Sequence, residues 1–483
     1  MAILLPKDTA SLLNANASQF ESRSLWMDRF AHPAARDAGD THPRRDWFVT
    51  LFKKSAVSIG ASRNAWLADS KSCAGRVLIH AQLQSRLMVN MAGGVMENAG
   101  LCLDRFGLPY VPGSAVKGCA RRAALAALHE WCETGQKPGA SEADKDNLFK
   151  NACEPLTTQA EMLAAVARVF GWCEQDWSLA RNDGRYVSDF AWACGAALEA
   201  IWKAAAEKLA DDSGWRIDDQ HRSTPWKSLP NFSGSVAFLP AHPADVPAGT
   251  DINGTKAPTL GKLELDVVTC HHGKYYAEPD RAKKPREWEE WNRQWGTAPD
   301  TEEPVPIVFP AVAPGHVFTF AVAPLRRADA SLATRARTWL QTGLQTFGLG
   351  AKTNAGYGWF VDVTDPLRKA QEEARERQAR LDRQAKEKAD IEAARTALQP
   401  DPALLERLRV MKEPDLRGTI NPFATEERFW IEKNEQVQLT LLHFLAVTEP
   451  GLLAADRANP KSKIAKAIAN LAAKFPHTAA HKP

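Results

Sequence analysis

Ser114 and Lys117 stand three residues apart in the stretch VPGSAVKGCARRAALAAL, from Val111 to Leu128. In S-x-x-K enzymes that spacing sets an amine one turn from a serine hydroxyl and activates it for acyl transfer. Two companion motifs would complete such a site, and both fail at their last position: Ser188-Asp189-Phe190 stands for S-D-N, and Lys352-Thr353-Asn354 for K-T-G. The stretch also fails as a nucleotide P-loop, because Lys117 precedes its glycine and no hydroxyl follows. What survives is the physics of an anion site. A helix that begins after Pro112-Gly113, with Ser114 as N-cap, presents unpaired N–H groups and partial positive charge, and Lys117, Arg121 and Arg122 fall in its first turns. The plainer reading is a capped helix with a solvated basic face.

A second segment, GLGAKTNAGYGWF, supports the anion reading. Gly348, Gly350, Gly356 and Gly358 permit positive φ, Lys352 supplies charge, Thr353 and Asn354 supply hydrogen bonds, and Tyr357 offers a ring for stacking. A tight helix-to-strand turn needs one or two glycines, so four predict that something with phosphates lies against this backbone. Metal chemistry is not expected. The candidate cluster Cys270-His271-His272 would alternate between strand faces, and the eight cysteines contain no C-x-x-C pair. No cofactor is expected either. Residues that could cleave RNA are Glu97, Asp104, His80, His271 and His272, although a carboxylate in a Gly-rich loop ordinarily caps a turn. Tyr275, Tyr276, Trp288, Trp291 and Trp295 either stack on bases, at about 1–3 kcal/mol each, or pack their own segment against its sheet or an adjacent subunit.

These residues need a scaffold. A strand pattern runs from Arg76 to Asn90, a helix starts at Ser114, and further strands follow at 234–241, 262–271, 306–312 and 316–325. The amphipathic helix ASLATRARTWLQTGLQTF then enters the Gly-rich segment, and WFVDV closes the series. The order β-α-β-β-α-β predicts an α+β fold, ferredoxin-like or RRM-like, with helices on one face of a sheet. The expected organisation is a helical lead-in over 1–72 and a core over 73–365 that carries a helical insertion at about 135–230 and a thumb at about 270–305. A long charged helix over 366–399 and a helical extension over 400–483 follow. With 16 Trp and 25% charged residues the chain reads as folded throughout; a net charge of +3 confines any basic site to a local patch. Neither a leader nor a 20-residue apolar span is apparent, so a cytoplasmic protein without membrane contact is expected.

The segments L-D-x-x-G-L-P-Y-V-P-G-S-A-V-K-G-x-x-R, Leu103 to Arg121, and F-G-L-G-A-K-T-N-A-G-Y-G, Phe347 to Gly358, together resemble the RAMP superfamily of CRISPR effector proteins. The first is similar to its P-G-S-S-[LI]-K-G-x-x-R segment and the second to its C-terminal Gly-rich loop. Within the superfamily, LELDVVTCHHGKYY followed by PVPIVFPAVAPGHVFTF resembles the sixth RAMP subunit of type III-B Cmr complexes. The likeness covers about residues 75–363 and departs from the pattern at Ala115, at Cys270 and in length. It implies a non-catalytic crRNA-binding subunit near the 3′ end of the guide, in company with backbone and terminal RAMP subunits and the small helical subunit, with target RNA a further candidate partner. Ser114, Lys117 and Arg121 carry over as guide contacts or as supports of the guide surface, and the four glycines as the loop. His271, His272, Tyr275 and Tyr276 are weaker candidates for RNA or subunit contact. Because the superfamily also contains ribonucleases, an endoribonuclease is the first rival, and a serine acyl-transfer enzyme the second.

Overall fold

The computed structural model describes residues 11, 23, 24, 27, 43–53, 76–90, 101–270, 272–300, 305–325, 329–430 and 434–476. They fall in two compact units, Met1–Lys369 and Ala370–Pro483. Most of the expected lead-in over 1–72, together with Glu97 and His271, lies outside the described residues; within the lead-in, helix α1 spans Pro43–Lys53.

Strand β1, Val77–Leu83, alternates as its sequence requires. Ile79, Ala81 and Leu83 point into the core, and His80 and Gln82 point the other way. Helix α2, Gly113–Thr134, follows. Next come helices α3, Gln159–Phe170, α4, Asp189–Cys194, and α5, Leu198–Ser213. After strands β2, Val236–Phe238, and β3, His242–Pro243, the ribbon strand β4, Leu263–Cys270, leads to helix α6, Pro285–Trp295, and returns as β5, Val305–Val312. Strand β6, Val317–Pro324, helix α7, Ala330–Thr346, and strand β7, Phe360–Asp362, complete the sheet. Its order is β7-β1-β6-β2, with β3 also on β6, and every pairing is antiparallel.

Helices α2 and α7 cover one face. Their small residues allow close approach: a Cβ at Gly343 of α7 would sit 2.6 Å from the Cys119 carbonyl of α2. Phe318, Phe320 and Val322 of β6 lie opposite Ala81, Ile79 and Val77 and share this core with Ala120, Ala124 and Leu340. The other face is covered too. Val317, Val363 and Leu367 pack there with Val246, Ile252 and Ala257, and Gln82 donates to the carbonyls of Thr255 and Gly315 at 3.1 and 3.2 Å.

The helices of the insertion at 135–230 extend the core: Phe170 of α3 stacks between Phe238 of β2 and Trp339 of α7, at 5.4 and 5.6 Å. One expectation changes. The strands at 262–271 and 306–312 leave the main sheet and pair with each other in one register, Leu263 opposite Val312 through Cys270 opposite Val305. A single bridge, Leu87 to Val312, ties this ribbon to the end of β1.

Helix α8 spans Thr364–Ala397, beginning in the first unit and continuing in the second, and is exposed over residues 371–393, as its alternating charges require. In the second unit, helices Pro402–Arg409, Glu413–Ile420, Glu435–His443 and Lys463–Lys474 enclose a separate core that includes Leu416, Phe423, Leu439, Phe444 and Leu471. Among the described residues no helix is long and apolar enough to cross a membrane.

Candidate nucleic-acid interface

The start of α2 is set by contact with the sheet. A Cβ at Gly113 would collide with the carbonyl of Phe238, so only glycine lets the chain turn there. The helix therefore begins at Gly113, with Pro112 as its N-cap, and Ser114 is exposed inside the first turn without a capping bond; this corrects the expected Ser114 cap. Ala115 and Val116 donate to the Pro112 carbonyl at 3.0 and 3.1 Å, which leaves the Gly113 and Ser114 N–H groups outside the helical ladder. No hydrogen bond joins Ser114 to Lys117, and Ser188 is the N-cap of α4, accepting from Ala191 N at 3.1 Å. The acyl-transfer motifs are thus parts of two helix starts.

The basic residues of α2 divide into two kinds. Arg121 is held by carboxylates, with Asp176 at 3.1 Å and Asp189 closer still, and it fastens α2 to the start of α4. It supports the surface and does not extend from it. Arg122 is exposed, and its guanidinium lies 4.2 Å above the ring of Phe347, the residue before the Gly-rich segment. Lys117 is half-buried; desolvation, with repulsion from Arg121, holds its ammonium below the ordinary value. Neither Arg122 nor Lys117 forms an ion pair with a carboxylate among the described residues.

The structure brings the second segment to the same place. Cys119 Sγ lies 3.6 Å from the Gly348 carbonyl, so the second turn of α2 abuts the loop directly. Within the loop the expectation about glycines is corrected. At Gly350, φ is 99° and a Cβ would strike the Met88 carbonyl; at Gly358, φ is 69° and a Cβ would strike the Leu349 carbonyl. Hydrogen bonds from Ala351 N to Met88 O and from Gly358 N to Arg86 O, both 2.8 Å, stitch the loop to the chain beyond β1. These glycines, and Gly348 beside Gly358, answer to the protein's own backbone. Only Gly356, at φ 90°, faces open space.

Tyr357 is not a free stacking ring. Its hydroxyl donates to Asp266, and its ring tilts on Phe309 at 6.3 Å. Burial and that bond raise the phenol to about 12. Burial alone would raise the Asp266 carboxyl, but the bonds from Tyr357, Val267 N and Arg86 outweigh it and hold the group below its ordinary value. Arg86 bridges Glu264 at 3.0 Å and Asp266 at 2.9 Å, which locks the ribbon to the loop. Lys352 takes a left-handed conformation, φ 57°, with its ammonium 5.9 Å from the Phe309 ring and no carboxylate partner among the described residues. Asn354 is exposed, and Thr353 opens a short 3-10 turn through Ala355.

Other candidates sit elsewhere. Asp104 Oδ1 accepts from Phe106 N and Leu108 N, at 2.8 and 3.0 Å, as a turn residue does. His80 Nδ1 meets Thr319 Oγ1 at 3.1 Å on the covered face of the sheet. Opposite Thr319 on that face stands His242 of β3, whose ring stacks on Tyr110 at 5.7 Å, and Val317 is packed over by Val246, Ile252 and Ala257. The ribbon tip packs largely on itself: Trp291 donates to Lys274 O at 2.6 Å, Trp288 to Glu278 at 2.7 Å, and Tyr275 lies against Trp291, while Tyr276 is 76% exposed. His272 lies at the ribbon end, before the turn that carries these tyrosines. Among the described residues no three His, Cys, Asp or Glu side chains converge on a metal-sized site. Sequence reasoning missed Arg86, Glu264 and Asp266, although the alternation L-E-L-D places the two acids on one strand face.

A mixed helix-and-strand unit with this helix start against this loop defines a class. The model of the RAMP superfamily matches residues 89–361, more than half of the 483-residue chain, and the chain belongs to that superfamily. It is 23% identical over 282 residues to the CRISPR system Cmr subunit Cmr6 of Pyrococcus furiosus, an alignment that takes 58% of this chain and spans 66% of that relative's length. Among solved structures, one of the type III-B Cmr-beta bound to cognate target RNA is similar at a TM-score of 0.32 and 13% identity, over 74% of this chain and 88% of that one. The crystal structure of Cmr6 from Pyrococcus furiosus is similar at 0.24 and 20%, over 59% and 97%.

Proposed function

We propose that this chain is a crRNA-binding structural subunit of a type III-B CRISPR effector, placed near the 3′ end of the guide, and that it does not itself cleave RNA. The observation that carries the reading is the junction of α2 with the Gly-rich loop, where Lys117 and Arg122 on the helix and Lys352 on the loop have no carboxylate partner among the described residues, and where the Gly113 and Ser114 N–H groups lie outside the helical ladder. Cations and backbone donors hold phosphates without reading bases, as a subunit that serves many guides requires. Ser114, Thr353 and Asn354 add polar contacts; Arg121, Tyr357 and the buried glycines hold the surface in shape. The β-α-β-β-α-β order and the β7-β1-β6-β2 sheet support a ferredoxin-like core for this unit. Neighbouring RAMP subunits, the small helical subunit and target RNA are its expected partners, and the self-packed ribbon tip with exposed Tyr276 is the surface we assign to a subunit contact.

The test is binding of single-stranded RNA to the full chain carrying Lys117→Glu with Lys352→Glu. Affinity is expected to fall roughly tenfold or more at moderate salt, with the RNA intact after prolonged incubation. Unchanged affinity sinks the site assignment. RNA cleavage by the pure chain favours the endoribonuclease instead.

A further inference from the structure

Beside the loop junction, the exposed side of α2 forms one wall of a cleft of ≈ 250 Å³ lined by Gly118, Arg121, Arg122, Leu125, Asp189 and Trp192. We infer that this cleft is a nucleobase subsite, in which a base of single-stranded RNA stacks on the indole of Trp192 while its phosphate is held by Arg122. The inference rests on the RNA-binding reading above and extends it to a residue of the helical segment that neither motif contains.

Several observations carry it. Trp192 is 43% exposed, unlike the buried Trp177, Trp202 and Trp226 nearby. It is not loose, because His129 of α2 stacks on it at 4.2 Å and 23°, which fixes the indole as a rigid platform. Ser114, Gly118 and Arg122 recur at i, i+4 and i+8 and are all exposed, so one stripe of α2 leads from the helix start to the cleft. At Gly118 nothing lies within 4 Å of where a Cβ would be, and the wall is open there. The one acid in the lining, Asp189, is paired with Arg121, which it shares with Asp176. A cleft of this volume is smaller than the roughly 300–1,000 Å³ of drug-sized sites, which suits a single planar base. Aromatic faces accept any base, in keeping with a guide of variable sequence.

The experiment uses full-length protein with Trp192→Ala, Trp192→Phe and Gly118→Leu, and single-stranded RNA carrying 4-thiouridine. Trp192→Ala is expected to weaken binding by about 5- to 150-fold, the loss of one base stack. The loss should be the same at low and high salt, since stacking releases no counterions. Trp192→Phe should stay within about threefold of the parent, because phenylalanine keeps a stacking face. Gly118→Leu places a side chain in the open space beside Gly118 while favouring the helix, so an intact thermal midpoint with lost affinity separates blocking from misfolding. Photo-crosslinks should map to residues 188–193. If the parent chain binds RNA, loses it on charge reversal at Lys117 and Lys352, and is indifferent to Trp192→Ala and Gly118→Leu, the subsite is overturned and the proposed function stands. If the parent binds no RNA, both fall. Crosslinking of Trp192 to a neighbouring protein in the assembled complex, with no RNA adduct, also overturns the subsite.

Discussion

Single side chains in this unit are set by whether a partner of opposite charge reaches them. Arg121 and Arg122 are adjacent in sequence, yet the first is clamped by Asp176 and Asp189 and the second lies over Phe347. Nothing in the RR dipeptide announces that split, because the acids arrive from segments more than fifty residues away. His316 shows the same logic in the interior. Its Nε2 accepts from Gly261 N at 3.0 Å and its Nδ1 faces the Ala313 carbonyl at 2.8 Å, so the ring is neutral with its proton on Nδ1. Burial, partly offset by backbone bonds to Ala313 and Thr259, holds its pKa below the ordinary 6.5. The unfolded chain therefore takes up this proton first as pH falls. The stabilisation is complete above about 6.5 and is lost as pH drops from there through the lower folded value. The thermal midpoint should fall between about pH 7 and pH 5.5, and His316→Gln should flatten that part of the profile; a parent profile flat over the window would contradict the assignment.

Elements are legible in the sequence where their signal is local. The alternation of β1, the start of α7 and the charge pattern of α8 are contiguous patterns that the structure has, whereas α2 is present but begins at Gly113 and lacks the expected Ser114 cap. The pairing of strands is not legible: β4, β5 and β6 are all rich in apolar residues, and only the mutual register of β4 and β5 shows that they form a separate ribbon. The two segments of the candidate site are readable as Gly-rich and basic, but the reason for the glycines is not, since Gly350 is required by Met88 and Gly358 by Leu349 and Arg86. That difference can be measured. Gly358→Ala, which meets both a positive φ and the Leu349 carbonyl, should destabilise by about 2–4 kcal/mol, whereas Gly356→Ala, in open space, should lose about 1 kcal/mol. Equal denaturation midpoints for the two variants would show that the loop is not stitched as described.

At the scale of the whole molecule, buried apolar residues form separate clusters in the two units, with Leu408 through Phe475 enclosing one of their own. A fragment of residues 390–483 should fold alone and melt cooperatively by circular dichroism; a non-cooperative, urea-insensitive signal would deny it an independent core. The remainder of the chain carries the account's main claim, that a nearly neutral protein of net charge +3 holds RNA through a few local cations. The salt dependence of single-stranded RNA binding counts those cations directly. For Lys117→Ala with Lys352→Ala, the slope of log K against log salt should shrink by roughly 1.4, about 0.7 for each phosphate no longer neutralised, while Arg121→Met, whose charge is already paired, should leave it unchanged. A slope unmoved by the double lysine change, or moved by Arg121→Met alone, would contradict the account.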